Sequence, residues 1–166
     1  FITGVAPSHR KALELVAQLR GGPLQLQRAF ELSWTRSQIE LRHLNITVRQ
    51  ANLFQWMASQ LYYFNPYRKQ RSLALLANIK GQSGLWPYGI SGDYPILLVR
   101  LANPDELGLV KTALRAHEYW RLKGIRADLV ILNDFAGSYE QSLQEALRSL
   151  IEASSDRKNL DQPGGV

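Results

Sequence analysis

Apolar residues in the first half of the chain recur at every third or fourth position, which is the period of amphipathic helices. Four helices are predicted there: one opened by Pro7-Ser8 and stopped at Gly21, one over about 24–44, one capped by Thr47 with Gln50, and one over about 67–80. The second helix carries the clearest stripe, which consists of Phe30, Trp34, Ser37, Leu41 and Leu44. This spacing places the stripe on one helix face.

The second half of the chain alternates between apolar strands and helices. Residues 95–101 and 128–133 are short apolar runs of the kind that parallel sheets bury on both faces. Residues 103–106, Asn-Pro-Asp-Glu, are a strong helix start, and we expect this helix to run to about Lys123. A last helix is predicted over about 138–154. The order β-α-β-α indicates an α/β fold with a small parallel sheet and a right-handed crossover.

The predicted sheet is incomplete, because two parallel strands do not form a stable sheet alone. At least one more strand must come from the N-terminal stretch, where Phe1–Ala6 has the pattern of a strand end, from beyond Val166, or from another chain. We expect a mainly helical arm over 1–80 and a small α/β unit over 81–166, together forming one compact domain. The absence of an initiator Met favours a fragment or a processed chain.

The composition excludes several kinds of site. With no Cys, the chain has no disulfide, no Cys-ligated zinc and no thiol nucleophile. His9, His43 and His117 lack partners at metal-ligand spacing, so we expect neither a metal nor a cofactor. No apolar run is long enough to insert into a membrane, so we expect the segment itself to be soluble.

The net charge of +6 is unevenly distributed along the chain. Residues 1–80 carry 11 basic and 3 acidic side chains, whereas residues 81–166 carry 9 basic and 11 acidic ones. The basic residues are spaced singly and accompany no nucleic-acid motif, so nucleic acid is not an expected partner. A solvated helical face, or a face that docks on an acidic neighbouring domain, explains the basic half better.

The loop over 81–93 is the best candidate binding site. Its glycines permit positive φ and close approach of the backbone. Trp86 and Tyr88 offer flat apolar faces for stacking on sugar rings, and Ser91 and Asp93 offer hydrogen bonds to sugar hydroxyls. The competing interpretation, which we favour, is that the aromatic rings pack the helical half against the sheet while Asp93 caps backbone N–H groups in a turn. The loop is not a phosphate loop, because it lacks the lysine and spacing of one and precedes its strand.

Three further sets of polar residues are candidates for chemistry or for structure. Asp134 follows the second strand, where open α/β sheets usually place their sites, and is the best catalytic carboxylate if the chain acts alone; a capping role is favoured. His117 is expected to be a packed, hydrogen-bonded histidine beside Tyr119 and Trp120. Arg36 and Glu40 are four residues apart, so they can pair across one helical turn.

Three long motifs carry a resemblance to a known family. Residues 30–47 (FELSWTRSQIELRHLNIT), 81–100 (GQSGLWPYGISGDYPILLVR) and 117–133 (HEYWRLKGIRADLVILN) resemble the cyclic β-1,2-glucan synthases, and their order is the same. Those are large bacterial membrane enzymes with a glycosyltransferase region and a C-terminal region similar to the glycoside hydrolase family 94 phosphorylases. Tyr94 departs from the expected apolar Leu, which implies that its side chain only partly faces the core.

The resemblance implies a noncatalytic segment between two β-sandwich domains, ahead of the α/α-barrel that holds the catalytic acid and the phosphate site. No residue here matches the catalytic motif, so no catalytic residue is assigned. The implied partners are neighbouring domains and, through Trp86, Tyr88, Ser91 and Asp93, β-1,2-glucan. The implied location is the cytoplasmic side of the inner membrane. The alternatives are a carbohydrate-binding module that uses this loop and a small free-standing hydrolase that uses Asp134.

Overall fold

The computed structural model describes residues 5–20, 22–63, 72–135 and 140–166. Their contacts divide the chain into two compact units, Phe1–Ile46 and Thr47–Val166. This division differs from the boundary at residue 80 that we expected, because the third helix belongs to the second unit. That the whole chain forms one compact domain stays a prediction.

The first unit contains helices α1 (His9–Leu19) and α2 (Pro23–His43). The hydroxyl of Ser8 caps α1 by accepting a hydrogen bond from the backbone N–H of Lys11. Gly22 takes a φ of 86° in the turn between the helices, a conformation that favours glycine. Both helix positions therefore agree with the sequence prediction.

The predicted apolar stripe of α2 is buried only in its second half. Leu41 and Leu44 are buried, whereas 69% of Phe30 and 67% of Trp34 are exposed. The described residues therefore leave the first half of the stripe uncovered. Arg36 and Glu40 form the expected ion pair, with 3.1 Å between Nε and Oε1.

The second unit carries the strands. Its elements are, in chain order, α3 (Val48–Tyr62), α4 (Ser72–Ala77), β1 (Ile96–Leu101), α5 (Leu107–Leu122), β2 (Asp128–Asn133) and α6 (Glu140–Glu152). Short 3₁₀ helices cover Gln82–Tyr88, Pro104–Glu106 and Ser155–Asn159. Helix α4 is shorter than the predicted helix over 67–80, whose first residues lie outside the described part, as do Phe1–Gly4 and the predicted cap Ser138.

The starts of α3 and α5 follow local sequence signals. Thr47 and Gln50 form the predicted capping box: the Thr47 N–H donates to Oε1 of Gln50 at 2.8 Å, and the Gln50 N–H donates to the Thr47 hydroxyl at 3.2 Å. Before α5, the Glu106 carboxylate accepts from the backbone N–H groups of Ala102 and Asn103. These bonds satisfy donors that a helix start would otherwise leave unpaired.

Strands β1 and β2 pair in parallel, with Ile96 opposite Asp128 and Leu101 opposite Asn133. The chain between them forms α5, as the β-α-β-α pattern predicted. Helices α5 and α6 cover one face of the two strands and bury a shared apolar cluster, which contains Val99, Leu101, Val110, Ala113, Leu114, Leu129, Leu143 and Leu147. The described residues thus form an α/β fold whose sheet has two strands, in agreement with the sequence prediction.

The opposite face of the sheet is largely open. Alternation along the strands sends Leu98 and Leu132 away from the helices, and 52% and 44% of these two side chains are exposed. The C-terminal tail contacts the outer edge of β2, where the Leu129 N–H donates to the Gly165 carbonyl at 2.8 Å. Beside it, the Gly164 N–H donates to Oδ1 of Asp128 at 2.6 Å.

Helix α3 is held to α5 by buried aromatic side chains and by hydrogen bonds, including one from the side-chain amide of Gln55 to the Tyr119 hydroxyl at 2.8 Å. Phe54 and Trp120 are completely buried, and the indole N–H of Trp120 donates to the Phe54 carbonyl at 2.7 Å. The ring of Tyr119 lies 6.0 Å from that of Phe54. The indole therefore fills the space between the helices and also satisfies a helix carbonyl.

We expect Trp120→Ala to lower the free energy of unfolding by about 3–5 kcal/mol, because it leaves a large cavity between α3 and α5. Trp56→Ala is the matched control, since 56% of Trp56 is exposed and surface changes usually stay within about 0.5 kcal/mol. Urea unfolding followed by circular dichroism measures both variants. Equal losses for the two would contradict this packing.

Candidate functional site

A cleft of about 660 Å³ runs along the outer edge of β2 and is called the β2 cleft here. The β2 residues from Asp128 to Leu132 all line it. Further lining residues come from the loop 88–91 and from α6 and the C-terminal tail, including Ile151 and Val166. The lining therefore combines apolar and polar side chains.

The loop before β1 is closed by its own polar side chains. The side-chain amide of Gln82 donates to the Ser91 carbonyl at 2.8 Å and to Oδ1 of Asp93 at 2.9 Å. The Ser91 hydroxyl accepts from the Asp93 N–H at 3.2 Å. Gly92 has a φ of 75°, and a Cβ there would lie 2.8 Å from Cγ of Gln82. The geometry therefore requires glycine at this position and assigns Asp93 a role in loop closure.

The aromatic residues of this loop do not pack between the two halves of the chain. Trp86 is 64% exposed and Tyr88 is 77% exposed. The interpretation that they fill a joint is wrong, because the 3₁₀ helix over Gln82–Tyr88 turns their rings outward. Asp93 accepts a hydrogen bond from the side-chain amide of Gln82, and no backbone N–H of the described residues donates to its carboxylate.

The four predicted site residues do not converge on one place. Tyr88 and Ser91 line the β2 cleft, whereas Trp86 and Asp93 do not. Their use in sugar binding stays a prediction. The structure instead adds Asp128 to the cleft, a buried carboxylate that the sequence analysis treated only as the start of a strand.

Asp134 lies just beyond β2 and pairs with a cation. Its carboxylate contacts the guanidinium of Arg100 on the neighbouring strand, and both side chains are at least half exposed. Its backbone N–H donates to the Leu101 carbonyl at 2.9 Å and continues the strand ladder. A surface ion pair does not supply the second carboxyl group that a glycosidase mechanism uses, so this geometry gives the hydrolase alternative no support.

A buried charged cluster lies between α5 and the 3₁₀ helix Ser155–Asn159. Asp156 is completely buried, and its Oδ1 lies 3.2 Å from Nδ1 of His117 and 3.0 Å from Nη2 of Arg121. His117 is 1% exposed, and its Nε2 lies 2.7 Å from the Ala127 carbonyl. The expectation that His117 is a packed, hydrogen-bonded residue is thus confirmed.

The contacts of His117 fix the direction of one hydrogen bond. A carbonyl oxygen only accepts, so Nε2 donates to Ala127. On the other side of the ring, Nδ1 lies 3.2 Å from Oδ1 of Asp156. Because His117 and Asp156 are shielded from solvent, the cluster joins α5 to the 3₁₀ helix over Ser155–Asn159 inside the core.

Sequence reasoning missed Asp156, which we placed in a polar tail. A local signal exists, because the Ser154 hydroxyl accepts from the Asp156 N–H at 3.1 Å and so starts a short helix. That signal predicts a helix start but not burial against α5, which depends on contacts 39 residues away in sequence between His117 and Asp156.

Tyr94 is half-buried, as its departure from an apolar residue suggested. Its hydroxyl accepts a hydrogen bond from Nη1 of Arg126 at 2.9 Å. This hydrogen bond, followed by Coulombic attraction, raises the pKa of the exposed Arg126 guanidinium above its ordinary value. Because arginine is protonated at all physiological pH values, the shift changes no charge there.

Two kinds of site are not found in the described parts of the chain. No cluster of three or more His, Asp or Glu side chains has the arrangement of a metal site among the described residues. Within the same ranges, no helix combines the length and apolar character that a membrane span requires.

We expect Asp156→Asn to destabilise the fold by about 3–5 kcal/mol, because it removes the completely buried charge that pairs with the guanidinium of Arg121. Asp134→Asn is the matched control: it removes an exposed ion pair, and we expect a loss below about 1 kcal/mol. Urea unfolding at neutral pH measures both. A loss for Asp156→Asn as small as that of the control would show that the buried cluster contributes little.

Comparison with known proteins agrees with the motifs. No family model matches the chain. The cyclic beta-(1,2)-glucan synthase NdvB of Rhizobium meliloti (strain 1021) is 42% identical over 131 residues, which make up 79% of this chain. The chain spans about 5% of the length of that relative. Over the aligned residues, the chain therefore belongs to the cyclic β-(1,2)-glucan synthase family, as its three motifs led us to expect.

Proposed function

We propose that the chain acts as a noncatalytic segment between domains of a membrane-associated bacterial cyclic β-1,2-glucan synthase. In this proposal the whole enzyme synthesises the glucan and controls its length through domains similar to the family 94 phosphorylases. Its membrane anchor lies elsewhere in the polypeptide, and this segment faces the cytoplasm. The family membership and the small share of the relative that the chain spans support this role.

The open face of the sheet is the observation that carries the proposal. Parallel sheets are almost always covered on both faces, but the described residues cover the face opposite α5 and α6 only in part. Leu98 and Leu132 remain 52% and 44% exposed on the other face. A neighbouring domain that packs there would complete the usual three-layer arrangement of an α/β protein.

Exposed apolar residues in the first unit agree with this interpretation. Phe30 and Trp34 lie one helical turn apart on α2, and about two thirds of each side chain is exposed. Large aromatic side chains exposed together commonly mark a surface that another protein or domain covers.

The candidate acid and base groups of the described residues each have a neighbouring partner. Within the described ranges, His117 and Asp156 are buried away from any cleft. Asp134 is paired with Arg100, and Asp93 accepts a hydrogen bond from Gln82. None of these groups lies opposite another across the β2 cleft in the way that acid and base catalysts flank a substrate.

The interdomain role predicts that substitutions on the open sheet face lower stability more in the full-length synthase than in the 166-residue chain. We expect Leu98→Gln and Leu132→Gln each to alter the stability of the 166-residue chain by less than about 1 kcal/mol, because both side chains are half exposed. In the full-length synthase each should cost about 1–3 kcal/mol, because a covered amide loses its hydrogen bonds to water.

Thermal and urea unfolding of the chain and of the full-length enzyme measure this difference. Leu109→Gln on α5, where 53% of the leucine is exposed, is the matched control and should behave alike in both contexts. Losses of equal size for Leu98→Gln in the short and the full-length proteins would contradict a covering domain.

The second candidate function is carbohydrate binding by the loop over 81–93. The observation that favours it is the exposure of Trp86 and Tyr88, whose rings are free to stack while hydrogen bonds from Gln82 hold the loop backbone. Neighbouring hydroxyl and carboxylate groups of Ser91 and Asp93 would then orient the sugar.

Titration with β-1,2-gluco-oligosaccharides tests this function. If the loop binds sugar, the indole N–H resonance of Trp86 shifts at millimolar sugar, and Trp86→Ala abolishes the binding signal of the remaining resonances. Trp56→Ala is the control, because its ring is similarly exposed on α3. A Trp86 resonance that does not move at millimolar sugar would exclude the binding module.

A further inference from the structure

We propose that the β2 cleft binds an extended polypeptide segment, which joins the sheet as a third strand beside β2. The segment has apolar side chains at alternate positions and a Lys or Arg near its contact with Asp128. The binding itself follows from the geometry of the cleft. Only the source of the strand, a neighbouring part of the same polypeptide, rests on the proposed interdomain role.

The register of the sheet shows that the outer edge of β2 has free backbone groups. The N–H groups of Asp128 and Asp134 donate towards β1, to the carbonyls of Pro95 and Leu101. Because backbone groups alternate along a strand, the N–H and C=O groups of Ile131 and Asn133 point to the opposite side. No described backbone group pairs with these two N–H groups.

The C-terminal tail already makes the first hydrogen bond of such a third strand. Leu129 is the first residue of β2 whose N–H points outward, and it donates to the Gly165 carbonyl at 2.8 Å. The next N–H, that of Val166, donates to the Asn159 carbonyl and not to β2. None of the described backbone groups pairs with the edge beyond Leu129, so another segment there would continue the ladder that Gly165 has started.

The two walls of the cleft match the alternation of a strand. Ile151 and Val166 form an apolar wall on the side of α6, and Leu98 and Leu132 form one on the side of the loop 88–91. Successive side chains of an inserted strand would point to these walls in turn. Backbone hydrogen bonds would give affinity and the apolar walls would give specificity, as in other cases of strand addition.

The charges around the cleft select a cationic segment. Asp128, Glu152 and Asp161 line it, and Arg148 is the cationic side chain among the described lining residues. Asp128 is 7% exposed, and its Oδ2 has no described hydrogen-bond partner. A buried carboxylate oxygen without a donor is unfavourable, so a Lys or Arg from the incoming segment would satisfy it.

A capped heptapeptide, Lys-Val-Thr-Val-Thr-Val-Thr, serves as the probe with the 166-residue chain. We expect the amide resonances of Ile131 and Asn133 to shift and their hydrogen exchange to slow at saturating peptide. The amide of Arg100, on the outer edge of β1, should change little. A peptide with Glu in place of Lys should bind at least about tenfold more weakly, because the acidic side chains of the cleft repel its negative charge.

The decisive comparison removes backbone hydrogen-bond donors first from the peptide and then from the edge of β2. A probe methylated at alternate backbone nitrogens has no donors for the edge and should not bind. Ile131→Pro removes one outward donor without removing a bond to β1, and it should weaken binding at least about tenfold. Arg100→Pro makes the same change on the outer edge of β1 and should leave binding within about twofold.

Several results would overturn the proposal. Equal binding of the methylated probe would show that the cleft does not use backbone pairing. Protection of Ile131 and Asn133 in the free chain would show that the edge is already covered, and a dimer that forms with rising concentration would make the occupant a second copy. If the peptide fails to bind while Leu98→Gln still costs more stability in the full-length enzyme than in the 166-residue chain, the strand proposal falls and the interdomain role stands.

Discussion

Parallel pairing of β1 and β2 is the constraint on which the second unit depends. Strands that run in the same direction need a long connection, and here that connection is α5, which crosses one face of the sheet. Helix α6 packs on the same face and completes one apolar cluster. Two strands with both helices on one side leave the other face and the outer edge of β2 open, and both proposals about function follow from these two surfaces.

Helix α5 connects the sheet to the other elements of the second unit. One side of it packs on the strands, and Trp120 holds α3 through a buried hydrogen bond to Phe54. His117 and Arg121, one turn apart on the same helix, surround the buried carboxylate of Asp156. Ion pairing offsets part of the free energy that burying this charge costs. The same pairing holds the start of the C-terminal tail against α5, and the tail then lies beside β2, where it forms part of the cleft.

Much of the fold is predictable from local sequence. The capping box of Thr47 and Gln50, the helix start at residues 103–106 and the bounds of β2 all depend on residues a few positions apart. The family is also recognisable from three motifs. The candidate site was less predictable, because Tyr88 and Ser91 line the β2 cleft but Trp86 and Asp93 do not. The short helix over Gln82–Tyr88 places the two aromatic residues, and the hydrogen-bonded turn after it places Ser91 and Asp93.

The sequence by itself determined the order of the elements, their period and their parallel pairing, since these follow from local propensities and from the pattern of apolar positions. Only the tertiary structure decided which surfaces are covered. The apolar stripe of α2 has the spacing of a core face, yet Phe30 and Trp34 are exposed. Asp156 follows the last predicted helix in a polar stretch, yet it is completely buried. Burial depends on contacts between residues far apart in sequence, and a local pattern does not contain them.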